Sequence, residues 1–217
     1  MRQLSALDRL FLTQERPGTP MHISVLLFYS QQTAPGGRVR FRDIVKVFAD
    51  RAHEVPLLHL RVQEVPFELD NPYWVHDDHF NIESHVNHVA LPKPGDWRQL
   101  CIMAARIHAR PVDRSRPLWE ATVIEGLDNI EFLPRGSFAI LLKMHHAAVD
   151  GIAARHALEV LHDTAPVWES KYHYNEIYPL FKFRVDYPVA KTWVSVLSNH
   201  VDVEKKFGAF DESLLQG

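Results

Sequence analysis

A single cysteine in 217 residues, Cys101, leaves no partner for a disulfide, so the fold must be held by a packed core rather than by cross-links. Charge of one sign is also short. With 24 basic side chains against 27 acidic ones, the formal net charge is −3, and nothing pulls the chain generally toward nucleic acid. Long apolar runs are missing as well: the longest, residues 23–29 and 138–142, fall far short of the ~20 residues that a membrane-spanning helix needs. At the N-terminus, Arg2, Asp8, Arg9 and Glu15 interrupt the apolar residues, which does not fit the apolar core of a secretory signal, so a cytoplasmic location is the default expectation. No internal repeat is visible, and Gly36-Gly37 lacks the lysine and helix context of a phosphate loop. What is present, 46% hydrophobic and 24% charged residues with 14 histidines, describes a soluble globular protein long enough to bury a real core.

Hydrophobic periodicity lays out the elements. Ser5 followed by Asp8, with apolar Leu7, Leu10 and Phe11, predicts a capped N-terminal helix that stops by Pro17-Gly18. Residues 21–30 are apolar on both parities, the pattern of a strand covered on both faces. In residues 41–55, Ile44, Val45, Phe48 and Ala52 recur at helical spacing opposite Arg42, Asp43, Lys46 and Asp50. Short β-prone pieces follow at 59–65, 73–76 and 85–91, broken by prolines. A second helix at 97–109 carries Leu100, Met103, Ala104 and Ile107 on one face, and Cys101 and Met103 read as core. Strands are expected at 119–124 and 138–144, then a helix after Gly151. The expected fold class is therefore α/β in the α+β, two-layer sense: a mixed β-sheet covered by helices, forming one domain over residues 1–165. Residues 166–217, crowded with Trp168, Tyr172, Tyr174, Tyr178, Phe181, Phe183 and Tyr187, are expected to form an extension that serves as linker or interface.

The chemistry concentrates in Lys143-Met144-His145-His146-Ala147-Ala148-Val149-Asp150-Gly151. Adjacent histidines at a strand end are expected to project to opposite faces, so only one can look into a given cavity. That imidazole, titrating near neutral pH, could take a proton from a hydroxyl as its oxygen attacks a carbonyl. Asp150 is expected to fix the turn by pairing with an arginine, and Gly151 to allow a positive φ before the helix. His145, His146 and Asp150 lack the spacing that puts two metal ligands on one helix face, so no metal is assigned. His76, His79, His85 and His88 read as surface histidines, and Arg110, Arg114 and Arg116 as a solvated basic turn.

The pattern His145-His146-x-x-x-Asp150-Gly151 resembles the signature of the CoA-dependent acyltransferase superfamily, whose fold is that of chloramphenicol acetyltransferase. Three further features, Leu4-Ser5-x-x-Asp8 with Phe11-Leu12, Pro20-Met21-His22, and Pro117-Leu118-Trp119-Glu120, resemble in order the N-terminal half of bacterial wax ester synthase/diacylglycerol acyltransferases. The resemblance spans about residues 4–165. It implies that His146 is the general base, His145 a supporting residue, Asp150 and Gly151 the residues that hold the turn, and Pro117, Leu118 and Trp119 a structural motif. It also implies acyl-CoA as co-substrate with no bound cofactor, and a fatty alcohol or diacylglycerol as acceptor. Direct transfer without an acyl-enzyme agrees with the lack of a motif-placed serine or cysteine nucleophile. Family members place the CoA tunnel between two similar domains. This chain matches the first, so a second half or another copy is an expected partner, and the resemblance implies contact with lipid bodies or the inner membrane surface. Two other readings stay open here: a transferase of the same superfamily that uses a carrier-protein thioester, and an inactive truncated domain acting as a binding module.

Overall fold

Two of the helices start where the sequence supplies a side-chain cap. The computed structural model describes residues 1–32, 34–149 and 151–162, so the expected boundary near residue 165 and the aromatic stretch beyond it lie outside the described residues. After a two-residue strand β1 (Arg2–Gln3), helix α1 (Ala6–Gln14) begins at a capping box. The Ser5 hydroxyl accepts the Asp8 amide at 3.1 Å, and the Asp8 carboxylate accepts the Ser5 amide at 3.2 Å. α1 buries Leu12 and packs Phe11, whereas Leu7 and Leu10 of the expected apolar set are exposed. Strand β2 (His22–Tyr29) and helix α2 (Phe41–Ala52) follow, then strands β3 (Leu60–Gln63), β4 (Tyr73–His76) and β5 (Val86–Ala90). Helix α3 (Trp97–His108) has a second reciprocal cap, between Asp96 and Gln99. Strands β6 (Trp119–Glu125) and β7 (Phe138–His145) and helix α4 (Gly151–Leu161) complete the described chain.

The main sheet is mixed, with order β2-β7-β6-β5. β7 runs antiparallel to both neighbours, and β5 pairs parallel with β6 through the α3 crossover. Helices cover both faces. On one, α2 and α4 bury Ile44, Phe48, Ala52, Ala154, Ala157 and Leu161 against alternate residues of β2, β6 and β7. On the other, α3 packs Leu100, Ala104 and Ile107 onto Leu26, Phe28, Ile124 and Leu141. β7 is buried along its whole length, as a central strand with helices on both sides must be.

A separate three-stranded sheet, β1-β4-β3, forms by a pairing that was not legible in the sequence. With α1 it encloses a third cluster, Leu4, Leu12, Val62, Trp74, Val112 and Leu118, which closes on Ala147 beyond the end of β7. His85 corrects the expectation of a surface residue. It follows a short 3-10 turn rather than lying in a strand, is 1% exposed, donates from Nδ1 to the Trp119 carbonyl at 2.8 Å and stacks on the Trp119 ring. His76, His79 and His88 are exposed as expected.

Candidate active site

Register fixes where the two histidines stand. β7 is paired with β2 from Phe138 opposite Tyr29 to His145 opposite His22, and with β6 up to Met144 opposite Trp119. Beyond those pairs the His145 amide donates to the Leu118 carbonyl at 3.0 Å, and the His146 amide to the Met21 carbonyl at 2.8 Å. The chain then folds back, with the Ala148 and Val149 amides donating to the His145 carbonyl. The strand therefore ends at His145, and His146 opens the turn.

Each ring meets a different part of the α1 segment: His145 lies beside Glu15, the C-cap residue of α1, and His146 beside Phe11. His145 is 0% exposed, and its Nδ1 accepts the Ala147 amide at 3.0 Å. That bond puts the ring proton on Nε2, which lies 3.5 Å from Glu15 Oε1, at the long limit of a hydrogen bond. Burial pulls the His145 pKa down to about 4 against the opposing pull of the Glu15 carboxylate, so the ring is neutral at pH 7. His146 is only half-buried. Its ring stacks on Phe11, with centroids 5.0 Å apart and planes 22° from parallel, and burial lowers its pKa below the usual 6.5. The pair thus divides into a sealed, neutral ring and an accessible one.

Pro117, Leu118 and Trp119 are all buried beside this strand end. Leu118 supplies the carbonyl that holds the His145 amide. Trp119 donates its indole N–H to the Leu58 carbonyl at 2.9 Å and lies between His85 and Phe48. Asp150 lies outside the described residues, and Gly151 is described as the first residue of α4.

Arg114 departs from the expected solvated turn. It is partly exposed, but its guanidinium donates to Glu15 Oε2 from Nε at 2.9 Å and from Nη2 at 2.6 Å, and also to the Leu12 carbonyl at 2.6 Å. Arg116 pairs with Asp113, and the Arg110 carbonyl accepts from Lys143. Lys143 stands at the head of the motif stretch, but sequence reasoning assigned it no role. It is fully buried, donates to the Ile107 and Arg110 carbonyls, and pairs with Glu120. Beside it, His22 Nε2 donates to the His108 carbonyl, and the Ser24 hydroxyl bonds His108 Nδ1. A lysine inside an otherwise apolar strand was the available signal. Among the described residues, no group of three or more His, Cys, Asp or Glu is placed to hold a metal, and no helix is long and apolar enough to cross a membrane.

Known proteins are similar to this chain in sequence and fold. O-acyltransferase WSD of Acinetobacter baylyi is 34% identical over 163 residues, 73% of this chain and 32% of its own length. A solved wax ester synthase/diacylglycerol acyltransferase from Marinobacter aquaeolei is 34% identical with a TM-score of 0.56, covering 72% of this chain and 36% of that one. At the level of fold alone, a starter condensation domain of rhizomide synthetase solved with C8-CoA superposes with a TM-score of 0.55 at 13% identity, covering 74% of this chain and 34% of that one. The chain spans about a third of the length of the curated relatives that it matches first. The model of the wax ester synthase/diacylglycerol acyltransferase catalytic domain matches residues 4–199, past the point at which the sequence motifs stop, and the chain belongs to that family.

Proposed function

We propose that this chain supplies the histidine side of an acyl-transfer site, moving a fatty acyl group from acyl-CoA to a long-chain alcohol or diacylglycerol. The observation that carries the reading is the division between the rings: His145 is sealed and held by its neighbours, while His146 is only half-buried, with burial holding its pKa below the usual value. His146 takes the proton from the acceptor hydroxyl as that oxygen bonds to the thioester carbon. The C–S bond then breaks, the CoA thiolate leaves, and the proton passes from His146 to the sulfur, so the products are an ester and free CoA. The step uses no acyl-enzyme, and acyl-CoA is a co-substrate rather than a resident cofactor. In this reading Asp150 and Gly151 hold the turn, Pro117, Leu118 and Trp119 brace the strand end, and the acceptor pocket is completed by a second acyltransferase half or another copy. Long-chain acceptors partition into lipid, which brings the site to the inner membrane surface or to lipid bodies.

The test supplies acyl-CoA with hexadecanol or diacylglycerol and measures ester and free CoA. Wild-type protein is expected to form ester, and His146→Ala to lower the rate by at least ~100-fold. No ester from the wild-type chain, either alone or combined with a second acyltransferase half, or an undiminished rate in His146→Ala, overturns the reading.

A further inference from the structure

We propose that Glu15 is a positioning residue for the histidine pair, a role that rests on the acyl-transfer reading above. Its side chain is only 7% exposed, and a carboxylate so enclosed is costly unless it is paired. Arg114 supplies the pairing by donating twice to Oε2, and its further bond to the Leu12 carbonyl holds the guanidinium against α1. Pairing alone would need nothing from Oε1, yet Oε1 reaches both the Met21 amide and His145. It accepts the Met21 amide at 3.1 Å, and the Met21 carbonyl accepts the His146 amide at 2.8 Å, so the carboxylate and the His146 backbone are tied to the same residue through the two peptide groups that flank the Met21 Cα. The same oxygen lies 3.5 Å from His145 Nε2. One turn earlier, Phe11 lies against the His146 ring, and the Glu15 amide donates to the Phe11 carbonyl at 3.2 Å.

One helix end thus sets the backbone of His146, the face of its ring and the proton-bearing nitrogen of its neighbour. Glu15 touches no reacting atom; it acts through Met21 and His145. Its value is orientation, because a general base displaced by ~1 Å from its working position loses about 100-fold in rate.

The test uses the full chain carrying Glu15→Gln, which keeps an oxygen for the Met21 amide but removes the charge facing Arg114 and His145. Arg114→Gln approaches the same carboxylate from the other side and serves if Glu15→Gln does not fold. The first measurement is the titration of the His146 ring, followed by imidazole proton NMR. In the wild type burial is expected to hold the midpoint below 6.5, and in the variant the midpoint is expected to rise toward 6.5 as the ring leaves Phe11 for water. The second is ester formation, where kcat is expected to fall about tenfold or more while KM for acyl-CoA changes by less than about twofold. A folded variant with an unmoved His146 midpoint overturns the proposal even if its melting temperature drops, since a purely structural brace predicts that result. Wild-type protein that forms no ester, either alone or combined with a second acyltransferase half, removes the acyl-transfer reading, and the positioning role then stands or falls on the midpoint alone.

Discussion

At the residue scale, Lys143 shows how a charge can sit in the centre of a sheet. An ammonium has three protons to donate, and here three oxygens receive them: the carbonyls of Ile107 and Arg110 and the carboxylate of Glu120. Burial pushes the Lys143 pKa down, and the Glu120 carboxylate resists the shift. Because two of the acceptors lie at the C-terminal end of α3 and just beyond it, the lysine binds that helix to β7 close to the histidines. Lys143→Met would fill the space while removing the ammonium from the Arg110 carbonyl and Glu120 and leaving the Ile107 carbonyl only its backbone donors. The expected cost is about 3 kcal/mol in urea unfolding at neutral pH, with part recovered in Lys143→Met/Glu120→Leu, where the orphaned carboxylate is also gone. A loss below ~1 kcal/mol in the single variant would show that the network does not stabilise the fold.

At the scale of elements, the β5–α3–β6 unit depends on one close backbone approach. Gly95, just before the α3 cap, has φ +73°, and a Cβ placed there would lie 2.0 Å from the Gly126 carbonyl oxygen at the end of β6. The Asn129 amide donates to the Gly95 carbonyl at 3.2 Å, so the approach is bonded as well as tight. Gly36 has nearly the same φ, +71°, with open space around it. Gly36→Ala should therefore cost only the left-handed penalty of ~1 kcal/mol, and Gly95→Ala at least about 2 kcal/mol more, because backbone has to move. Equal unfolding midpoints for the two variants would contradict the close approach. Elements with a sustained period were the legible ones: α2, α3 and β2 lie close to where spacing puts them, and the cap of α1 was written in Ser5 and Asp8, whereas the Asp96–Gln99 cap of α3 was not read from the sequence. Of the second sheet, β3 and β4 fall in the β-prone pieces at 59–65 and 73–76, but β1 and the separate pairing were not legible, because a two-residue strand has no period and its pairing of Arg2 with Trp74 is a long-range choice. His85 was misplaced for a related reason, since the spacing rule assumed a strand where the chain makes a 3-10 turn.

At the scale of the whole molecule, the α3-covered face of the sheet changes character along its length, from apolar around Phe28 and Leu141 to polar around Ser24, Lys143, His22 and His145. The histidine motif was readable because its residues are contiguous. The polar end was not, because Glu15, His22, His108, Arg114 and Lys143 come from separate segments that only the register of β2 and β7 brings together. Sealing histidines there has a consequence for acid stability. Burial lowers the His22 pKa to about 3 and that of His145 to about 4, and pushes His59 and His85 the same way. In the unfolded chain these rings take up protons near 6.5, so between about pH 6.5 and pH 4 the unfolded state binds more protons than the folded one. Their contribution to stability is complete above the unfolded value and is lost as pH falls through this window, at about 1.4 kcal/mol per pH unit for each proton. Urea midpoints should therefore fall from about pH 7 to about pH 5, above the range where ordinary carboxylates titrate. His22→Gln, which keeps a donor for the His108 carbonyl, should reduce the slope by about one proton's share. Stability that is flat across this window, or a His22→Gln variant with the full slope, would mean that the polar end is open to water and protons in the folded state.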